Sequence, residues 1–335
     1  MIDSLARKPS ALSEFRLSTL PCETLLSNAR WKRVVPKLSI LIPTYRDSAD
    51  LLIQTLSHCH ASKEVEIIVF DDGTNDEELT ANLASAVKGF RGAAALVSSA
   101  ENKGRAEGRN RLQTLARSDW LLFLDADMLP DDADFITRYL DQMAETDSPL
   151  MVVGGFSLKL AEPSSRTDLH WAQSEASECV PAETRQESPG RYVFTSNVLV
   201  HRDIMMVVPF DPDFKGWGWE DVDWGIRVSK RFPVLHIDNT ATHLGLDPAK
   251  VLLRKYRASG DNFWLALNRH PEELEKSSLG RLARLFSRLP GIGLARPVLY
   301  GVAACPGWLM PLALRLLALK LYRAAVYGGT RHDRS

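Results

Sequence analysis

The sequence predicts an α/β fold in which one mostly parallel sheet is flanked by helices and followed by a helical C-terminal extension. Four apolar runs alternate with segments whose apolar residues recur at helical spacing, a pattern typical of a parallel sheet covered on both faces. Polar and charged residues gather at the ends of these runs, where open α/β sheets bind their ligands. The chain has 335 residues, of which 45% are apolar, so it can form one large domain with additions.

The first half of the chain contains four strand-and-helix pairs. The predicted strands are Leu38–Ile42, which Pro43 ends, Val65–Phe70, and the apolar parts of AALVSSAENKG and DWLLFLDADMLP. A helix is predicted next to each of them, in DSADLLIQTLSHC, DEELTANLASAVKGF, RAEGRNRLQTLARS and DDADFITRYLDQM. Each strand is therefore followed by a helix that can lead the chain back across the sheet.

The second half alternates less regularly. Strands in LMVVGGFSLKL and RYVFTSNVLVHR flank a polar stretch from Ala161 to Gly190, for which a long loop is predicted. Helices are predicted in EDVDWGIRVSKRF and DPAKVLLRKYRASGDNFWLALNRH. We divide the chain into an N-terminal appendage (residues 1–36), a main domain (37–250) and a basic, apolar, helical C-terminal region (251–335).

Charge and cysteine content narrow the class of protein. The formal net charge is −1, so no overall positive field points to nucleic acid. Residues 251–335, however, carry 14 Lys and Arg against 5 Asp and Glu, which favours a cation or sugar site in the acidic first part and an anionic surface as partner of the last. The cysteines have no CxxC or zinc spacing, and we expect four free thiols in a reducing compartment (Cys22, Cys59, Cys179 and Cys305). The N-terminus shows no signal-peptide pattern, so export by that route is not expected.

Asp125 and Asp127 are the carboxylates best placed to hold a metal ion. They follow the apolar run of FLDADM, and two acids at a strand end can share one Mg²⁺ or Mn²⁺ while leaving positions open for phosphate oxygens. The D-x-D pattern itself is weak, because the chain contains three more (Asp132/Asp134, Asp211/Asp213 and Asp221/Asp223). Only Asp125/Asp127 ends an apolar strand; surface turn acids are the alternative.

Other strand ends offer groups that could contact a nucleotide. Asp71 and Asp72 in VFDDGT could accept hydrogen bonds from a base or a ribose, or could simply stabilise a tight turn. Tyr45 could lie against a base or belong to the core. Lys103, Arg105, Arg109 and Arg111 surround a helix start and could face a diphosphate or solvent; Arg105 and Arg109 share a helix face.

The segment GWGWEDVDWG, from Gly216 to Gly225, combines aromatic rings with carboxylates. Glu220 or Asp221 could take the proton from a hydroxyl nucleophile, and Trp217 or Trp219 could lie against a sugar ring. A Trp-rich turn before a helix is the alternative.

His243 is a possible metal ligand, although a lone histidine is more often structural. The chain lacks the phosphate-loop, dinucleotide, G-x-S-x-G and H-E-x-x-H motifs, which argues against ATPases, dehydrogenases, serine hydrolases and zinc proteases.

Six segments resemble family 2 glycosyltransferases of the GT-A fold, in this order and spacing: SILIPTYRD, EIIVFDDGT, NKGRAEGRN, WLLFLDADM, FTSNVLVHRD and FKGWGWEDVDWGIR. The resemblance covers about Lys37 to Gly245. The last segment is also similar to the GWGxED element of β-1,4-galactosyltransferases and chondroitin-polymerase-type enzymes. The resemblance implies a Rossmann-like GT-A sheet, a catalytic domain over residues 37–250, and inverting transfer of a sugar from a nucleotide donor, most often a UDP-sugar.

The resemblance also implies roles for individual residues. Asp221 matches the catalytic base, and Glu220, Trp217 and Trp219 fall on the acceptor side. Trp219 stands where close relatives often carry glycine. The nucleotide-binding candidates are Pro43, Tyr45, Asp71, Asp72, Lys103, Arg109 and Asp125. The metal candidates are Asp125, Asp127 and His243, for Mn²⁺ or Mg²⁺. His236 is the reserve for His243, because the interval between Asp221 and His243 is short beside the galactosyltransferase pattern.

The C-terminal region allows two interpretations. Its uncharged run, Pro297–Leu314, is too short for a membrane span, is interrupted by Pro306, Gly307 and Pro311, and is followed by basic residues. Residues 280–328 either lie on an anionic membrane surface or pack on the catalytic domain as a helical pair.

A glycan or a lipid-linked saccharide is the expected acceptor. The expected location is the cytoplasm, where the protein is either free or bound to the inner face of the cell membrane.

Two other functions stay open from sequence. A metal-dependent nucleotidyltransferase would use the same carboxylates and the same type of sheet. This function would, however, assign no role to the Trp-Glu-Asp segment. A non-catalytic protein that binds sugar nucleotides or glycans would be favoured by loss of the base or of the D-x-D acids, and both are present. The chain has no Q-x-x-R-W segment of processive synthases, so transfer of a single sugar is expected.

Overall fold

The computed structural model describes residues 19–289 and 291–330, which form two sheets and their surrounding helices. The strands are β1 (Glu23–Ser27), β2 (Leu38–Thr44), β3 (Val65–Asp71), β4 (Ala93–Ser99), β5 (Trp120–Leu124), β6 (Met128–Pro130), β7 (Met151–Val153), β8 (Phe156–Ser157), β9 (Asn197–His201), β10 (Val234–His236) and β11 (Ala241–His243). The helices are α1 (Asp50–His58), α2 (Glu77–Gly89), α3 (Arg105–Leu115), α4 (Phe135–Ala144), α5 (Asp168–Ser177), α6 (Ala182–Gln186), α7 (Arg202–Val207), α8 (Glu220–Ser229), α9 (Ala249–Ala258), α10 (Gly260–Arg269), α11 (Pro271–Leu274), α12 (Ser278–Phe286), α13 (Ile292–Ala304) and α14 (Leu312–Thr330).

The main sheet has eight strands in the order β1-β4-β3-β2-β5-β9-β7-β10. Strands β4, β3, β2 and β5 are parallel, and β10 is parallel to β7. Strand β9 runs antiparallel to both β5 and β7. The predicted α/β architecture with a mostly parallel sheet is therefore confirmed, and β9 reverses direction beside the strand that carries the D-x-D acids.

The sheet is buried on both faces, which explains the continuous apolar runs. In β2, Ile40 and Ile42 belong to the core on one face, together with α1, α2 and α4. Leu41, between them, belongs to the core on the other face, together with α3, α7 and α8. Successive strand residues point to opposite faces, so a doubly covered strand needs apolar residues at every position.

The predicted appendage over residues 1–36 requires correction. Residues 23–27 form β1, which pairs antiparallel with β4 at the edge of the main sheet. The Asn28 side chain then donates hydrogen bonds to the carbonyls of Phe90 and Gly92 and accepts one from the Ala94 N–H. These contacts make residues 23–28 part of the domain; residues 1–18 lie outside the described residues.

The predicted long loop from Ala161 to Gly190 is wrong, because this stretch contains α5 and α6. Helix α5 buries Leu169 but also the polar side chains of His170, Gln173 and Ser174. A buried face made mostly of polar residues gives no apolar periodicity, which is the signal that predicts a helix.

The prediction of a single sheet is also incomplete, since β6, β11 and β8 form a second, three-stranded sheet. Its strands have two or three residues each, too few to show an alternating pattern. Strand β11 pairs antiparallel with β6 so that His243 lies opposite Met128. This register brings His243 beside Asp127, one residue before β6.

The C-terminal helices pack on the main domain. Leu169 of α5 and Ile226 of α8 share one hydrophobic core with residues of α9, α10 and α14. The guanidinium of Arg315 makes two hydrogen bonds to the carboxylate of Asp168, at 2.6 and 3.0 Å. Within residues 19–289 and 291–330, no helix has both the length and the apolar character that crossing a membrane requires.

Replacing Arg315 with alanine is expected to lower the free energy of unfolding by about 2–3 kcal/mol. Removing one partner of a fully buried ion pair costs about 3–5 kcal/mol, and the effect is smaller here because the Asp168 side chain is 26% exposed. Urea unfolding measures the change. Lys320→Ala, on the exposed side of the same helix, is the matched control and should change stability by less than about 0.5 kcal/mol. Equal stability of the two variants would show that Arg315 does not anchor α14.

Candidate active site

Two adjoining cavities lie at the carboxyl ends of the parallel strands. We call the first the strand-end cavity; its lining includes Pro43, Tyr45, Asp72 and Asn102. We call the second the tryptophan cavity; its lining includes Trp219, Asp221, His243, Tyr256 and Arg323. Four residues line both cavities (Arg105, Asp125, Asp127 and Trp217). The predicted metal acids therefore lie where the cavities meet.

The segment after β2 forms one wall of the strand-end cavity. Pro43 and Tyr45, two of the predicted nucleotide contacts, both line it. The Tyr45 side chain is 41% exposed, and the guanidinium of Arg46 lies 5.0 Å from the centre of its ring. Tyr45 is thus not a core residue, and its ring is accessible to a planar ligand.

Asp71 and Asp72 are both buried, and each stabilises backbone. Asp71 Oδ1 accepts the Thr74 N–H at 3.1 Å. The Asp72 carboxylate accepts the N–H groups of Lys103 and Gly104, at 2.9 and 2.8 Å, and so ties the end of β3 to the start of α3. Of the candidates Asp71, Asp72 and Lys103, only Asp72 lines the strand-end cavity.

Arg109 is a buried arginine that links Asp125 to Glu220. Its guanidinium is almost completely buried and lies between Asp125, with Nη2 to Oδ1 at 3.0 Å, and Glu220, with Nη1 to Oε1 at 3.3 Å. Both ends of the guanidinium are therefore occupied by carboxylates of the protein. Arg105, one helical turn earlier, lines both cavities and has a side chain that is 47% exposed. Arg109 also lines the strand-end cavity, but Arg105 is the more accessible of the two cations, a difference that spacing alone could not show because they share a helix face.

Asp127 and His243 form a pair, with 3.3 Å between Oδ2 and Nε2. Burial alone would raise the pKa of Asp127, but its hydrogen bond to His243 and the positive charges around it outweigh burial and lower the pKa. Burial likewise lowers the pKa of His243, and the contact with Asp127 outweighs this and raises it. Asp125, Asp127 and His243 all line the tryptophan cavity, and a donor set of two carboxylates and one imidazole suits Mn²⁺.

The reserve candidate His236 is excluded by its contacts. Its Nδ1 lies 2.9 Å from Arg185 Nη1, and its Nε2 lies 3.0 Å from the Pro189 carbonyl. Both ring nitrogens therefore already have partners, and His236 itself lies in β10, the last strand at one edge of the main sheet. His236 is also absent from the lining of both cavities.

Two further residues beside His243 were missed from sequence. His170 and Glu178 have donor atoms within 4.8 Å of one another and of a donor atom of His243. However, His170 Nδ1 accepts the Asp247 N–H at 2.7 Å, so the proton of a neutral ring is on Nε2, which then donates hydrogen bonds instead of binding a metal. Both residues fall in the stretch that is wrongly predicted to be a loop.

The acids at the start of α8 have three different surroundings. Glu220 is 4% exposed and contacts the guanidinium of Arg109. It does not line the tryptophan cavity, as a residue in contact with the acceptor would. Asp223 is fully buried and accepts hydrogen bonds from Arg227 and His270. Asp221 lines the tryptophan cavity, and its Oδ1 accepts the Val222 N–H at 2.8 Å.

The environment of Asp221 changes its acidity. Burial, and then the negative charge of Glu220, raise the pKa of Asp221 to about 7. A carboxylate with a pKa near the working pH is an effective proton acceptor.

Trp217 and Trp219 form the aromatic wall of the tryptophan cavity. The Trp217 ring lies 5.8 Å from that of Tyr256. Trp219 packs on Phe263 and Tyr327, and its Nε1 lies 3.3 Å from the Tyr327 hydroxyl. Its backbone is left-handed, with φ of 75°, which favours glycine at this position and costs a tryptophan about 1–2 kcal/mol. Its packing against α10 and α14 offsets this cost.

The fold matches that of a solved glycosyltransferase. A mannosyltransferase from Pyrobaculum calidifontis, solved in complex with GDP-Man and Mn²⁺, superposes with a TM-score of 0.57 at 14% identity, over 92% of this chain and 90% of the other. The protein therefore has the GT-A fold, as predicted.

In sequence, this chain is similar to glycosyltransferases. Residues 39–187, a little under half of the chain, match the family model described as glycosyl transferase family 2. An uncharacterized glycosyltransferase of Bacillus subtilis, YfnE, is 32% identical over 124 residues, covering 36% of this chain and 30% of that protein. The validoxylamine A glucosyltransferase of Streptomyces hygroscopicus is 27% identical over 231 residues, covering 58% and 51%. This chain thus spans about half or less of the length of these relatives.

Proposed function

We propose that this protein is an inverting glycosyltransferase that moves a sugar from a nucleotide donor to a hydroxyl group of a glycan or lipid-linked acceptor. The observation that carries the proposal is the junction of the two cavities at Arg105, Asp125 and Asp127. The candidate nucleotide contacts Tyr45 and Asp72 line the cavity on one side of this junction, and Asp221 with its aromatic wall lines the cavity on the other. The catalytic domain comprises residues 37–250 together with residues 23–28, which pair with its sheet, and Lys255, Tyr256 and Arg323 of the C-terminal region add part of the tryptophan cavity.

On the donor side, Tyr45 offers its face to a base, and Arg105 offers positive charge to a diphosphate. Asp125, Asp127 and His243 would hold Mn²⁺ or, less well matched to an imidazole, Mg²⁺. His243 Nδ1 is buried and without a hydrogen-bond partner among the described residues, and His243 Nε2 lies 3.3 Å from Asp127 Oδ2. When bound, the ion supplies positive charge to the phosphate oxygens of the leaving nucleotide.

On the acceptor side, the face of Trp217 can support a sugar ring while Asp221 accepts the proton of the attacking hydroxyl. Direct attack on the side of the sugar carbon opposite the leaving group inverts its configuration, so an α-linked donor yields a β-linked product. Glu220 serves this step indirectly, since its charge adds to the effect of burial in raising the pKa of Asp221 and its contact with Arg109 fixes the start of α8.

The donor is tested by screening nucleotide sugars. The resemblance favours a UDP-sugar, whereas the Pyrobaculum mannosyltransferase was solved with GDP-Man, so the screen includes UDP- and GDP-sugars. Release of free nucleotide from one donor, dependent on Mn²⁺, is the expected result. Absence of both nucleotide binding and release across the whole panel would contradict the proposal.

The surface of α12–α14 supports peripheral contact with an anionic membrane on its cytoplasmic side. Nine of the nineteen exposed large apolar side chains among the described residues lie between Leu285 and Leu317. Leu294 and Val298, one turn apart on α13, are 83% and 66% exposed, and Trp308 is 84% exposed. Residues 276–330 contain eight Lys and Arg and no Asp or Glu. Exposed apolar groups among basic ones suit an anionic lipid surface.

Replacing Trp308 with glutamate is expected to weaken binding to phosphatidylglycerol-containing vesicles by about tenfold or more, because burial of one large apolar side chain contributes about 1.5–3 kcal/mol. Vesicle cosedimentation measures the affinity. Met206→Glu is the control, since Met206 is 71% exposed on α7 and should leave binding unchanged. Equal loss in both variants, or in neither, would contradict a membrane surface at α12–α14.

A further inference from the structure

Helix α14 places Arg323 in the tryptophan cavity, together with Asp221 and Trp217. Arg323 lies about a hundred residues after Asp221 along the chain, in the region with the exposed apolar surface. One helix thus reaches both the candidate membrane surface, through Leu314 and Leu317, which are 50% and 52% exposed, and the candidate acceptor site.

Aromatic groups hold the Arg323 guanidinium in place. Its central carbon lies 4.4 Å from the centre of the Tyr256 ring, 5.4 Å from that of Trp219 and 5.6 Å from that of Tyr327. Its Nε donates a hydrogen bond to the Tyr327 hydroxyl at 3.2 Å. These contacts engage the face and one edge of the guanidinium. They leave the N–H donors of Nη1 and Nη2 without an acceptor among the described residues.

The lack of a carboxylate partner sets Arg323 apart from other cations of the region. Arg109 contacts Asp125 and Glu220, and Lys255, also in the tryptophan cavity, lies 2.6 Å from Asp247. Glu178 attracts Arg323 through space, but no ion pair joins them in the described part of the chain. An arginine held in position with free donors can bind an oxyanion with two parallel hydrogen bonds.

We propose that Arg323 binds an anionic group of the acceptor, and that this group is the phosphate of a lipid-linked saccharide. The proposal rests on the proposed function and specifies its acceptor. The sugar would lie between Trp217 and Asp221, with its phosphate on Arg323 and its lipid leading out along α14. A carboxylate on an acidic sugar has the same oxyanion chemistry, but the exposed apolar surface on α14 favours the phosphate.

Titration calorimetry with the donor side saturated by UDP and Mn²⁺ tests this assignment. The probes are geranyl diphosphate, which carries a short lipid, and methyl glucuronide, which carries a carboxylate. Geranyl diphosphate is expected to bind wild-type protein, and Arg323→Met is expected to weaken this binding by about 10- to 100-fold, as for loss of a charge-assisted hydrogen-bonded contact. Arg323→Lys should retain part of the affinity. Lys320→Met, which removes an exposed charge from the same helix, should retain all of it.

Unchanged geranyl diphosphate affinity in Arg323→Met, with UDP binding and thermal unfolding as in wild type, would overturn the assignment. Arg323-dependent binding of methyl glucuronide without binding of geranyl diphosphate would overturn the phosphate and show a carboxylate in its place. Failure of wild-type protein to bind UDP with Mn²⁺ would instead contradict the proposed function. The two failures are therefore distinguishable in one titration series.

Discussion

Asp221→Asn is expected to reduce sugar transfer by about 10²- to 10⁴-fold, the usual contribution of a positioned general base. The amide keeps the size of the side chain and can still accept the Val222 N–H, but it cannot take a proton from the acceptor. Calorimetry should show UDP and Mn²⁺ binding as in wild type, because Asp221 lines only the tryptophan cavity. The measurement is the rate of product formation at saturating donor.

The pH dependence of the same reaction provides the control. The pKa of Asp221 is raised to about 7, and only the deprotonated form accepts a proton. Wild-type transfer should therefore fall as pH decreases through about 7, and the residual activity of Asp221→Asn should lack this step. Asp203→Asn, an exposed acid on α7, should behave as wild type. Persistent transfer by Asp221→Asn with an unchanged pH profile would show that another group is the base.

Asp127→Ala is expected to weaken Mn²⁺-dependent UDP binding by about a hundredfold or more, since even loss of a group that only orients a metal ligand costs 10- to 100-fold. Asp127 lies at the junction of the cavities and 3.3 Å from His243, so its removal would take away one of the ligands proposed to hold the ion that binds the phosphates. Calorimetric titration of UDP with and without Mn²⁺ measures the effect.

Asp134→Ala is the matched control for Asp127, because Asp134 belongs to a D-x-D pair that precedes a helix instead of ending a buried strand. It should bind UDP and Mn²⁺ as wild type does. Equal affinity of Asp127→Ala and wild type would remove Asp127 from the metal site and leave Asp125 as the remaining acid at the junction.

The sequence predicts well those features that depend on neighbouring residues. Strands β2, β3, β4 and β5 appear as apolar runs because both of their faces are buried, and the polar residues that end them are found at one edge of the sheet. Helix α5 was missed because its buried face is polar. The small second sheet was missed because strands of two or three residues carry no periodic pattern.

Contacts between distant residues decide the surroundings of each side chain within the site. Arg105 and Arg109 are equivalent in spacing, yet Arg109 is buried between Asp125 and Glu220 and Arg105 faces both cavities. Trp219 has a left-handed backbone, and its packing on Tyr327 of α14 shows how a tryptophan is accommodated there. His243 is placed by the pairing of β11 with β6, which no interval along the chain predicts.

The sequence by itself determined the α/β class, the D-x-D acids at a strand end and the aromatic, acidic segment around Asp221, because apolar periodicity and strand termination are local properties. Only the tertiary structure decided which charged groups share a cavity. It buried Arg109, exposed Arg105, separated Asp221 from Asp223 and brought Arg323 from the last helix to the candidate acceptor site. The physical reason is that burial and ion pairing are set by all the elements packed around a side chain, and most of those elements are distant in sequence.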